Sequence, residues 1–232
     1  MLKVSNIRKI INGKTIIDDI SFNINLGNIY GLLGPNGAGK TTTFYSIAGL
    51  IKCNEGEIYL GDSNITKLPM HKRSKLGIKY LPQEPSIFQN LTVMENLMGL
   101  AELSYASKKD VDQFVEKSIE DFKLSKILHS KGRELSGGQR RKVEIARTLA
   151  ADPKIILLDE PFAGIDPIAI EEIQEILRIV ANNNIGILIT DHNVREALDI
   201  CYKSIVISQG KVIATGSKNE LISNELVKKA VS

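Results

Sequence analysis

A chain of 232 residues can bury one sizeable core, or two modest ones sharing a face, and its charge of +3, from 30 Lys/Arg against 27 Asp/Glu balanced along the chain, offers no basic stripe for nucleic acid. Its two cysteines, Cys53 and Cys201, lie far apart without C-x-x-C spacing, so neither a disulfide framework nor a zinc site is indicated and structural burial is expected for both. The N-terminus has no apolar signal core and no apolar run approaches about 18 residues, so the chain is not expected to cross a membrane by itself.

Residues 2–24 alternate apolar and polar side chains in two blocks around Asn12-Gly13, which predicts an antiparallel hairpin. Ile29–Leu33 is a short apolar run of buried-strand character. It leads into Gly34-Pro35-Asn36-Gly37-Ala38-Gly39-Lys40-Thr41, a complete G-x-x-x-x-G-K-[ST] pattern, and then into a helix-compatible segment from Lys40. Glycines let such a turn wrap a phosphate chain, and the helix N-terminus that follows adds the positive end of its dipole. Lys40 is placed to reach the β- and γ-phosphates and the Thr41 hydroxyl to ligate Mg²⁺, with Thr42 in the same first turn.

Residues 58–60 read as a strand before a Gly61-Asp62 turn, and residues 78–81 as a parallel strand. Thr92 and Glu95 form a capping-box pattern that opens a helix toward Leu100. Val111, Phe114, Val115, Ile119 and Phe122 make a helical stripe, so residues 91–130 are expected to be a helical insert in one α/β domain spanning 1–232.

Leu135-Ser136-Gly137-Gly138-Gln139 stands before a helix-compatible run at 140–150 and offers a second anion-binding helix end. Four apolar residues at 155–158 run into Asp159-Glu160 at the C-terminal edge of a buried strand, where ligands of open α/β sheets sit. Adjacent strand residues point to opposite sides, which gives Asp159 the Mg²⁺ and its water shell, and Glu160 the attacking water. Asp166-Pro167 opens a helix as N-cap and N1. Gly186–Thr190 is a further strand, with a helix near Val194–Ile200, a hairpin around Gln209-Gly210 and a short helix at the end.

With all these motifs in order over nearly the whole length, the chain resembles the ATP-binding subunits of ABC transporters. The resemblance implies a P-loop ABC ATPase core with a parallel sheet, an N-terminal antiparallel β-subdomain and the helical insert. It also implies a homodimer that clamps ATP between the P-loop of one subunit and residues 135–139 of the other. Gln83 falls on the Q-loop glutamine, which links Mg²⁺ and water to the membrane partner. Ala163-Gly164-Ile165-Asp166 falls on the D-loop at the dimer interface, and His192 on the switch histidine that contacts the γ-phosphate. Where many members stack adenine on an aromatic ring, Ile11 stands here, and base stacking is worth about 1–3 kcal/mol.

Within the family, the chain is most similar to the lipopolysaccharide-export branch. Four segments carry that similarity: residues 80–88, 141–147, 159–168 and 189–196. Gln139 stands where that branch is expected to have glutamate, and the chain ends soon after Leu226 without the longer tail expected. ATPases of branched-chain amino-acid importers look similar through the same segments, and soluble iron–sulfur-assembly members fit the length. The transporter reading places the chain on the cytoplasmic face of the inner membrane, bound to integral subunits through a groove near Gln83 and Phe88. Phe88 is then expected to be at least partly exposed.

Overall fold

The structure, a computed structural model, describes residues 1–225 and 227. Leu226 lies outside the described residues. The chain opens with β1 (Leu2–Ile11) and β2 (Lys14–Ile24), paired antiparallel, followed by β3 (Ile29–Leu33) and α1 (Lys40–Ala48). Next come β4 (Glu55–Leu60), β5 (Ser63–Asn64), α2 (Met70–Lys75) and β6 (Ile78–Leu81). Then α3 (Val93–Ser104), α4 (Lys108–Asp121) and α5 (Gly137–Leu149) lead into β7 (Ile155–Asp159), α6 (Pro167–Asn182) and β8 (Gly186–Thr190). The remainder is α7 (Val194–Ile200), β9 (Lys203–Ser208), β10 (Lys211–Gly216) and α8 (Lys218–Ser223).

Two sheets result. The first is antiparallel, in the order β2-β1-β4-β5; the second runs β10-β9-β3-β8-β7-β6, parallel from β9 to β6 with β10 antiparallel at its edge. The central strands β3, β7 and β8 are uniformly buried because both faces are covered, which is why they read as continuous apolar runs rather than as alternations. Strand period two still sorts them. Ile155 and Leu157 face a core with α1 and the antiparallel sheet, whereas Ile156 and Leu158 face a core shared by α5, α6 and the insert.

Local signals place the helix starts. Thr92 and Glu95 close a capping box on α3, Ser107 caps α4, and Asp166 caps α6 with Pro167 behind it. The helix toward Leu100 runs on to Ser104. α2 has no counterpart in the sequence reading. Its Arg73 is 1% exposed and donates to four carbonyls, Ser46 O, Ile47 O, Thr66 O and Leu68 O. Two of these are the last carbonyls of α1, so the arginine acts as a cationic cap on that helix. The cysteines are free and part-exposed rather than fully buried. The Cys201 thiol is pushed up to about 12 by desolvation. Among the described residues no helix is long and apolar enough to cross a membrane.

Candidate active site

The strand order puts β3, β8 and β7 side by side, so the loops leaving their C-terminal ends converge. The loop after β3 holds Gly34 at φ 148°, where a Cβ would lie 2.0 Å from Ile207 O; only glycine permits that approach. Gly37, also in the positive-φ region, has nothing within 4 Å of a would-be Cβ, so the loop presents bare backbone outward. α1 begins at Gly39 without a side-chain cap, which leaves first-turn amides available to an anion. Lys40 is 7% exposed, and its Nζ donates to Gly34 O at 2.7 Å and Pro35 O at 3.0 Å. Burial pulls its pKa down, and Glu160 and Asp159 push back.

Asp159 is the last residue of β7, in register with Thr190 of β8. Its Oδ2 accepts from the Tyr80 hydroxyl at 3.0 Å. Burial raises its pKa, opposed by that hydrogen bond and by Arg141 and Lys40. The strand stops there. Glu160 takes a left-handed conformation, φ 46°, and its N–H donates to Thr190 O at 2.8 Å. Strand alternation therefore does not separate the two carboxylates as expected; a backbone turn does, and it brings Glu160 Oε1 within 2.6 Å of His192 Nε2.

Three residues that the sequence reading left without a role build this corner. Asp191, 3% exposed, accepts from Phe162 N–H at 2.9 Å and Asn193 N–H at 2.8 Å, and so ties the turn carrying His192 to the loop after Glu160. Tyr80 orients Asp159. Arg141 donates to Asp159 O at 3.3 Å and Pro82 O at 3.0 Å, which joins α5 to the segment bearing Gln83.

Gln83, Glu160 and Gly137 line one cavity of 380 Å³. Ser136 and Gln139 close a reciprocal cap on α5, and Gly138 packs so tightly on α6 that a Cβ would meet the Ala169 methyl at 2.5 Å. Among the described residues no hydrogen bond joins this helix start to the loop at 34–42. Ile11 ends β1 opposite Lys14 and is 41% exposed.

Bare amides, a buried ammonium and an outward loop face fit a polyphosphate. The described residues hold no cluster of three His, Cys, Asp or Glu able to cage a metal. A cation seated by Thr41, Asp159 and Gln83 would draw its remaining ligands from phosphate and water, which suits Mg²⁺.

Residues 17–163 match the family described as ABC transporter. The lipopolysaccharide export system ATP-binding protein LptB of Haemophilus influenzae is 49% identical over 99% of this chain and 95% of its own length. An ATP-binding cassette of an ABC transporter in its ADP conformation superposes with a TM-score of 0.87 at 30% identity, covering 99% of this chain and 97% of that one. A dimeric cassette in a post-hydrolysis state, bound to ADP and Pi, has a TM-score of 0.79 at 25% identity over 94% of this chain and 99% of that one.

Proposed function

This chain belongs to the ABC transporter family, whose activity is ATP hydrolysis, and from that premise we propose that it is the nucleotide-binding subunit of a lipopolysaccharide exporter. The near-full-length identity to the Haemophilus protein supports that cargo over a branched-chain amino acid. The single observation that carries the chemistry is the Glu160–His192 pair, 2.6 Å apart at the edge where Lys40 also sits.

In this reading Lys40 leaves its loop carbonyls for the β- and γ-phosphate oxygens, and the amides from Gly37 to Thr42 cradle the chain of charge. Glu160 accepts the proton of a water that attacks the γ-phosphorus in line. His192, fixed through Asp191, orients Glu160 and contacts the transferring phosphoryl group. A Mg²⁺ held by Thr41, Asp159 and Gln83 would neutralise charge developing on the phosphate oxygens.

Ser136, Gly137, Gly138 and Gln139 serve a second copy of the chain, closing on the nucleotide bound by its partner. A likeness to a dimeric cassette supports this arrangement. The groove near Gln83 and Phe88 takes the integral-membrane subunit, which would keep the protein on the cytoplasmic face of the inner membrane.

Affinity purification from detergent-solubilised membranes tests the transporter reading. Integral-membrane subunits and lipopolysaccharide should co-purify, and Glu160→Gln should abolish ATP-driven lipid release. Recovery of an amino-acid importer's subunits instead would overturn the cargo assignment.

A further inference from the structure

The near-balance of charge along the chain conceals a local excess. Residues 63–83 carry five lysines and arginines and no acidic residue, and residues 20–54 carry no acidic residue either. α2 sits at the centre of this region. Its Arg73 points inward and is consumed by backbone carbonyls. Helical spacing from Arg73 puts His71, Lys72 and Lys75 on the outer face and Met70 and Leu76 at its margins.

All five are exposed, as is Lys67 just before the helix. Met70 and Leu76 are each 38% exposed, and Leu50, just past the Arg73-capped end of α1, is 46% exposed. Some exposed lysines elsewhere face carboxylates, as in Lys123–Glu175 and Lys211–Asp18. Lys67, Lys72 and Lys75 make no ion pair among the described residues. Cations without carboxylates, rimmed by aliphatic side chains, are the make-up of a segment that lies against an anionic bilayer surface.

The position agrees. Met70 and Ser74 line a 240 Å³ cavity with Tyr80, Leu100 and Thr148. Thr148 follows Arg147, whose guanidinium lies 4.7 Å from the centre of the Phe88 ring. The basic face thus adjoins the groove assigned above to the membrane subunit.

We propose that the outer face of α2, together with Lys67, binds anionic lipid headgroups of the membrane that holds the transporter and seats the protein against the bilayer beside its integral partner. The proposal rests on the transporter reading. α2 carries no Phe, Tyr or Trp ring on which a base could stack, and its aliphatic margins suit the headgroup boundary better than a phosphodiester chain.

The test is flotation of the full chain with vesicles of phosphatidylglycerol and phosphatidylethanolamine, and with vesicles of phosphatidylcholine alone. The native protein should float with the anionic vesicles only, and added salt should release it. A Lys67→Gln/Lys72→Gln/Lys75→Gln variant should lose about a hundredfold in partitioning, with its Mg-ATPase rate unchanged. Met70→Asn/Leu76→Asn should lose several-fold. Equal flotation with neutral vesicles, undiminished binding by the triple variant, or displacement by nucleic acid at matched phosphate would each overturn the proposal. Absence of ATPase activity in the native protein would instead overturn the transporter reading and leave the vesicle result standing.

Discussion

Lys40 is a buried ammonium with two loop carbonyls for partners and two nearby carboxylates that offset part of its desolvation. Lys40→Ala should therefore weaken ATP binding by about 2–5 kcal/mol, the usual cost of deleting one side of a desolvated charge pair. Titration calorimetry reads this directly, and an unchanged dissociation constant would contradict the assignment. Glu160→Gln keeps size and hydrogen-bonding reach but cannot take a proton. It should retain ATP affinity and lower kcat by about 10²–10⁴-fold; turnover at the native rate would remove Glu160 as the base. Ile11 is exposed at the end of β1, and β2 brings Ile16 O to 2.8 Å from a would-be Cβ on Gly39, so the hairpin tip borders the phosphate loop. Ile11→Tyr should tighten ATP binding by up to about 1–3 kcal/mol if the base lies there, and fluorescence titration with ATP and GTP would show it. The meeting of Lys40, Asp159, Glu160 and His192 at one sheet edge was legible because each stands at or just beyond the end of an apolar strand. Tyr80, Arg141 and Asp191 were not, because their partners lie 79, 18 and 29 residues away and only the folded sheet brings them together.

At the level of elements, the starts of α3 and α6 were readable because capping is local chemistry. α2 was not, since a six-residue helix with no apolar period is held by tertiary hydrogen bonds through Arg73. Arg73→Ala should lower stability by about 3–5 kcal/mol through a cavity and stranded carbonyls. Arg73→Lys should recover less than half, lacking the planar fork; urea unfolding midpoints decide both. The loop from Gln83 to Phe88 is held from α5. Glu144, 4% exposed, accepts from the Ser86 and Ile87 amides, and Arg147 donates to Ser86 O and covers the Phe88 ring. Phe88 is 49% exposed despite that cover, as the sequence reading expected. Phe88→Ala should leave ATP affinity unchanged and reduce recovery of the integral subunits on affinity resin. Normal recovery would mean that the anchor lies elsewhere.

For the whole molecule, strand types and the two antiparallel hairpins followed from period and turn chemistry, and the parallel sheet was expected once the apolar runs alternated with helices. The order β3-β8-β7 was beyond reach, because all three runs are equally apolar and nothing local says which is neighbour to which. Quaternary structure supplies the prediction at this scale: Glu160→Gln with Mg-ATP should elute from a sizing column as a dimer, while without nucleotide it elutes as a monomer. A monomer in both conditions would remove the two-chain site. The 13-residue α5 is capped by Ser136, on the side that would face the other copy's nucleotide, and its next turns grip Asp159 O, the Gln83 segment and the Phe88 loop. Its 13 residues span ~20 Å. If the helix moves as one body, tilting its first turn onto a triphosphate would swing its far end as well, so clamping and the stroke delivered to the bilayer would share a single lever arm.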